Sequence, residues 1–397
     1  MERMSTLTVR EIVRRKRKEY SKAAKGQKKR ILDEVQELTG YHRESLARML
    51  RGGVPREKGP IRRPRAKKYE RILPQLKFVW ATSFYACGKR LQPFLGELLS
   101  VLVRFGEISV TPHEESLLRS ISAATIDRML SGDRATMMVK GRTTTKPGTL
   151  LRSRIPVRTF AEWNEKAPGF FELDLVGHCG GTGAGEFLYT LNMTDVFSGW
   201  VALGAMKGRG EMGTLAAVKS ASKRIPFRVR GIDSDNDGGF INYHMDKYCR
   251  KEKIKFTRCR PYKKNDQCHV EQKNWSVVRA FIGYRRFETD GQLSLLQKIY
   301  PLVMAYHNFF SPMMKLTGKE RIGSKVTKRY SAAMTPYRRL LTSNGHIDEA
   351  TKDELRREYE ATNPAELLRR IRTLLTLLEN MPGAGDRPPR LVARRPY

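Results

Sequence analysis

Acidic residues are in short supply. Only 41 Asp and Glu stand against 76 Lys and Arg, a formal net charge of +35 over 397 residues. Such a chain repels itself unless a polyanion is near, so the expected partner is nucleic acid; a ribosomal or membrane-surface role is the blander reading. Cysteine is sparse too: Cys87, Cys179, Cys249, Cys259 and Cys268, an odd and scattered set. That argues against a disulfide framework and for a reducing, cytoplasmic setting. Neither His178-Cys179 nor Cys268-His269 is accompanied by Cys-x₂-Cys or His-x₃-His spacing, so no zinc site is expected. No apolar run approaches the roughly 20 residues needed to span a bilayer, so no membrane is expected as a partner. The chain opens with no charged-then-apolar signal pattern. No Gly-x₄-Gly-Lys-Ser/Thr loop is present, which removes the usual nucleoside triphosphate cradle.

What is there suffices for several packed units. The apolar fraction is 40%, and the length suits two to four domains. Residues 1–60 read as basic helices. Ile31, Leu32, Val35 and Leu38 recur at helical spacing, Gly40 suits a C-cap, and a short helix follows over Arg43 to Arg51. Helix, glycine turn, helix is the shape of a helix-turn-helix. In such units the early residues of the second helix face base edges. His42, Arg43, Glu44, Ser45 and Arg48 hold those positions.

Pro55, Pro60 and Pro64 lie among Arg62, Arg63 and Arg65 and mark an extended basic connector. Residues 61–133 read as a second helical DNA-binding domain. Its segment Leu117 to Leu130 repeats the helix-turn-helix pattern, with Thr125 and Arg128 on the second helix. Arg128-Met129-Leu130-Ser131-Gly132 echoes Arg48-Met49-Leu50-Arg51-Gly52. Residues 134–165, with Lys140, Arg142 and Lys146, read as a basic linker lying along nucleic acid.

The segment 166–312 alternates strands and helices. Strands are expected near Phe170–Val176, Glu186–Met193, Gly199–Ala205, Phe227–Ile232 and Ile254–Cys259. Helices are expected near Met212–Lys223 and Phe240–Lys251, and a last one carries Glu271 behind an Asn265 or Asp266 cap. The order implies a mixed five-stranded sheet with helices on both faces. Asp174 stands in the middle of an apolar strand, and Asp235 follows another. Burying an unpaired carboxylate costs several kcal/mol. Gathered acids raise each other's pKa. Divalent cations with oxygen ligands, Mg²⁺ or Mn²⁺, would remove the conflict. Asp233 shares the strand parity of Asp235 and competes with it. Glu172 reads as a supporting acid, Asp195 and Asp237 as turn residues, and Trp275 as core.

These residues resemble the catalytic core of DDE transposases and retroviral-type integrases over about Pro168 to Arg321. Asp174 matches the first acid of that family, Asp235 in Ser234-Asp235-Asn236 the second, and Glu271 in His269-Val270-Glu271-Gln272-Lys273-Asn274 the third. The 35 residues between Asp235 and Glu271 are the family's spacing. The resemblance implies a ribonuclease H-like fold with its first and fourth strands adjacent. It implies two Mg²⁺ ions shared by the three acids, double-stranded DNA as substrate at element ends and target, and a homo-oligomer on DNA. It also implies tandem N-terminal modules for terminal repeats, and DNA contacts at Lys263, Lys264 and Lys273.

The sequence departs from the family in two places. Asp237-Gly238-Gly239-Phe240 stands where Gly-x-Glu-Phe is frequent, and Trp275 and Val278 stand where retroviral integrases often carry lysines. Residues 313–397 read as a basic region with helices and a disordered tail. The Leu367, Leu368, Ile371, Leu374, Leu375, Leu378 face suits either core packing or a subunit contact. The fold class expected is multidomain α plus α/β. The reaction expected is metal-dependent cleavage at element ends and joining of 3′ hydroxyls to target DNA. A nuclease that cuts without joining and a catalytically relict regulator are the alternatives.

Overall fold

A computed structural model describes residues 6–52, 68–135, 157–158, 167–235, 237–259, 268–322, 325–343 and 345–383. The chain divides into two compact units, Met1–Lys68 and Tyr69–Tyr397. No described helix is long and apolar enough to cross a membrane.

The first unit holds three helices: α1 (Thr6–Lys22), α2 (Lys25–Thr39) and α3 (Arg43–Leu50). Val9, Val13, Ile31, Val35, Leu46 and Leu50 form its core. Gly40 ends α2 at φ 68°, and its N–H bonds to the carbonyl of Gln36. Only a residue without a Cβ takes that left-handed turn cheaply.

The second unit begins with a 3₁₀ turn (Glu70–Ile72) and α4 (Leu73–Thr82), α5 (Gly88–Arg104), α6 (Pro112–Ser120), α7 (Ala123–Met129) and α8 (Ser131–Ala135). Then come β1 (Val157–Arg158), β2 (Phe170–Gly177), β3 (Leu188–Asp195), β4 (Val201–Lys207), α9 (Glu211–Ser222), β5 (Gly231–Ser234), α10 (Tyr243–Lys251) and β6 (Lys255–Cys259). After α11 (Cys268–Lys273) the helix widens into a π-helical segment (Asn274–Arg279) and closes with α12 (Ala280–Ile282). The long α13 (Asp290–Phe310), a hairpin of β7 (Leu316–Ile322) and β8 (Lys325–Tyr330), and α14 (Pro336–Leu341), α15 (Glu349–Ala361) and α16 (Pro364–Asn380) complete it.

The main sheet runs β1-β6-β5-β2-β3-β4. β1, β6, β5 and β2 are parallel neighbours, while β3 pairs antiparallel with both β2 and β4. That is the ribonuclease H-like arrangement, with the first and fourth long strands side by side. The fourth strand is shorter and later than its apolar run suggests, and the two-residue β1 lies inside the stretch expected to be linker. Gly204 in β4 lets Ala217 of α9 close on one face of the sheet. Asp174 and Asn192, opposite each other in register, belong to the other face, where α11 packs.

The helical block after Tyr69 is not a separate domain, contrary to the reading from sequence. Leu76, Leu91, Leu98 and Ile126 belong to the same buried core as Leu173, Leu191 and Tyr306. The Tyr306 hydroxyl donates to the carbonyl of Thr82 at 2.5 Å. Phe84 stacks on Phe281 at 4.3 Å between ring centroids. The C-terminal helices join that core as well. Leu367, Leu368, Ile371 and Leu378 are buried, which favours core packing over a subunit contact for that face. Arg369 pairs with Glu107 at 2.6 Å, and Arg338 with Glu97 at 3.0 Å.

Candidate active site

Strand pairing brings two of the expected acids together. Leu173 in β2 is the register partner of Ser234 in β5, so the next residues, Asp174 and Asp235, emerge side by side at the C-terminal ends of parallel strands. Burial is the largest cause of the raised Asp235 pKa, about 7, and the neighbouring Asp174 charge adds to it. Asp174 is pushed up to about 6, chiefly by burial, while its hydrogen bonds to Asn274 and to the Leu175 N–H pull the other way. The charges of Glu271 and Asp237 also raise it. Glu271 itself, on α11, is exposed. Among the described residues, no three His, Cys, Asp or Glu side chains form a ready-made metal-ligand cluster. The Glu271 charge reaches Asp174, but a preassembled triad is not present.

Other buried polar groups set this geometry. Asn274 donates to Asp174 Oδ2 at 2.5 Å and accepts from Asn192 Nδ2 at 2.8 Å. Thr194 in turn donates to Asn192 Oδ1 at 3.2 Å. The chain Thr194–Asn192–Asn274 ends on Oδ2 of Asp174 and fixes that oxygen. Asn274 was not singled out from the sequence. Its signal was there: three residues after Glu271, it lies on a neighbouring part of the same helix face. Glu172 is fully buried and accepts the Val270 N–H at 2.8 Å, which ties the start of α11 to β2. Asp233 accepts from Thr257 at 2.6 Å, so the competing acid is held by β6.

The turn after Asp235 accounts for the missing glutamate. Asp235 Oδ1 accepts the Asp237 N–H at 3.0 Å, and Asp237 Oδ1 accepts the Gly239 N–H at 2.8 Å. Arg209 pairs with the other oxygen of Asp237 at 2.8 Å. A Cβ on Gly239 would meet the Arg209 carbonyl and Thr214 Oγ1 at 3.0 Å each. A glutamate therefore does not fit there without a backbone shift. Asp237 is more than a turn residue, since it carries a carboxylate beside the site.

Several expected contacts are corrected. Lys273 is not a phosphate contact: it is buried, with Nζ 2.8 Å from His307 Nε2 and 3.3 Å from Met313 Sδ. Burial drives its pKa well down, helped by Arg90, Arg339 and Lys315. Its position one residue before Asn274 turns it inward toward α13. Trp275, expected in the core, is 59% exposed. Arg43 is ion-paired with Asp33, and Ser45 is partly buried, while Arg48 is exposed. Arg128 is exposed and donates to Thr125 Oγ1 at 3.1 Å. Arg62, Arg63, Arg65, Lys140, Arg142, Lys146, Lys263 and Lys264 lie outside the described residues. His178 is structural: it is buried, shares a 2.7 Å hydrogen bond with Thr190, and burial lowers its pKa to about 3.

The fold and the integrase-core match support an integrase-type polynucleotidyl transferase as the class. A family model described as integrase core domain matches residues 164–264. The chain is 36% identical over 342 residues to the uncharacterized protein y4rM of Sinorhizobium fredii, covering 85% of this chain and 96% of that one. The chain belongs to one family with y4rM, and its residues 164–264 carry the integrase-core match. Among solved structures, the magnesium-bound catalytic core of HTLV-2 integrase is 16% identical, covers 37% of this chain and 91% of its own, and superposes with a TM-score of 0.29. A chain from the structure of the simian T-cell lymphotropic virus intasome in complex with PP2A regulatory subunit B56 gamma is 15% identical, with 53% and 69% covered and a TM-score of 0.31. The BIV integrase catalytic core is 17% identical, with 47% and 98% covered and a TM-score of 0.28.

Proposed function

We propose that the protein is a DNA transposase that binds the terminal repeats of a mobile element, cuts at their ends and joins the freed 3′ hydroxyls to target DNA. The observation that carries this reading is the pairing of Asp174 with Asp235 at adjacent strand ends, within reach of the Glu271 charge. An all-oxygen donor set, with Asp174 and Asp235 half-buried and raised in pKa and Glu271 exposed, fits Mg²⁺, with Mn²⁺ as a substitute. Asp174 and Asp235 would hold such ions, with Glu271 completing the set. Bound there, divalent cations supply positive charge at the attacking and leaving oxygens of an in-line displacement at phosphorus.

The chain's own groups do the rest. Asn274 and the Leu175 N–H each hold one oxygen of Asp174 and so fix the carboxylate's orientation. Glu172 holds the first turn of α11 and so the direction from which Glu271 approaches. Asp237, paired with Arg209, braces the turn carrying Asp235. Water opens a phosphodiester and leaves a 3′ hydroxyl, which then attacks a target phosphodiester. One phosphodiester replaces another, so ATP is not required. Arg48 on α3 and Arg128 on α7 are exposed on candidate recognition helices and suit DNA contacts.

The test is Asp235→Asn in the full chain. Cleavage of an end-containing duplex in Mg²⁺ is expected to vanish, with affinity for the same duplex nearly unchanged. A mutant that still cuts at the normal rate would remove Asp235 from the reaction. A joined product in the wild-type reaction separates a transposase from a nuclease.

A further inference from the structure

We propose that a cleft beside the catalytic helix takes one unpaired nucleobase of DNA, stacked on Trp275, with its phosphate near Arg90. The proposal rests on the reading of DNA as substrate. Trp275 follows Glu271 by one turn and, at 59% exposure, presents its large ring to solvent. It stands in the π-helical segment Asn274–Arg279, a distortion that often accompanies functional sites. The ring helps line a cavity of about 650 Å³, a size typical of small-molecule pockets.

Part of the lining is aromatic and strained. Phe84 and Tyr85 line the cavity with Phe281. Both have left-handed backbones, φ 54° and 60°, which bulky residues rarely adopt. The turn is held by the bond from the Tyr85 N–H to the Trp80 carbonyl at 3.0 Å and by the Phe84–Phe281 stack. Strain maintained in this way is common at ligand sites.

The charge of the cavity fits a nucleotide. Arg90 lines it, with Nε donating to the Pro312 carbonyl at 2.6 Å, which aims the guanidinium. Asp127, the acid among the described lining residues, is bound to the Gly88 N–H at 2.7 Å and to Arg134. A neutral apolar ligand gains nothing from these cations. A duplex keeps its base faces stacked inside, so only an unpaired base can enter and stack. Such stacking tolerates any base.

The experiment compares two labelled duplexes, one blunt and one with a short unpaired extension at one end, bound by the full chain without divalent cations. The extended duplex is expected to bind about tenfold tighter, the value of one stacked base. In Trp275→Ala the ratio is expected to collapse to about one, while Trp275→Phe keeps part of it. A melting curve establishes that the variants are folded. Cys87, exposed at the cavity wall, is expected to be shielded from alkylation by the extended duplex and not by the blunt one. Equal affinities in the wild type, or an undiminished ratio in Trp275→Ala, would overturn the pocket and leave the Asp235→Asn result standing. No binding to either duplex would sink the DNA reading itself.

Discussion

Asp174 depends on a neighbouring amide for its orientation. Without Asn274 its Oδ2 loses the 2.5 Å bond that orients it. Asn274→Ala is therefore expected to lower metal-supported cleavage by about 10–100-fold. The half-saturating Mg²⁺ concentration should rise with it, and unchanged metal dependence would reduce Asn274 to a packing residue. The acids also set a pH dependence. Both native pKa values are raised, to about 6 and about 7. Protonation of these acids favours the fold, so their contribution to stability is full at low pH and lost as pH climbs through those values. The metal-free melting temperature is expected to fall between about pH 4 and about pH 7 from this source, and to level off above it. Metal affinity should rise over the same interval, because cations must displace those protons. Calorimetry across that range checks both trends. Lys273 gives the opposite kind of prediction. Its buried amine costs desolvation, so Lys273→Met should leave duplex affinity and its salt slope unchanged, with stability equal or higher. A shallower salt slope would restore it as a phosphate contact.

At the scale of elements, β2 is the organiser. It is parallel to β5 and antiparallel to β3, so one strand joins the acid of its neighbour to the Asn192 relay on the other side. The strand was legible as an apolar run interrupted by an acid. Its register was not, because pairing depends on residues distant in sequence. β5 shows why boundaries fail: the apolar run from Phe227 suggests an earlier strand, yet only Gly231–Ser234 finds partners. Helix α11, which carries Glu271, was legible behind its polar turn, and its direction was not. Glu172 fixes that direction through the Val270 N–H. Periodicity also cannot say which side of a helix meets the core when the helix widens, and so Trp275 came out exposed and Lys273 buried.

The whole molecule is built as two units, and their boundary falls at Lys68 rather than near residue 133. The block from Tyr69 completes the core of the sheet domain, with Tyr306 bonded to Thr82 and Phe84 stacked on Phe281. A chain beginning after residue 135 is therefore expected to be unfolded or aggregated, since it exposes the apolar faces those helices cover. A chain beginning near Tyr69 should fold. Circular dichroism and cooperative melting of the two truncations decide the matter, and a well-folded shorter fragment would reinstate the separate domain.

The sequence alone determined the excess of positive charge and the class of fold, because composition and strand periodicity are local properties. Tertiary packing decided which acids lie side by side, which cation is sequestered and which aromatic ring reaches solvent. Those outcomes depend on how strands register and how helices seat, and packing against distant residues outweighs local preference there.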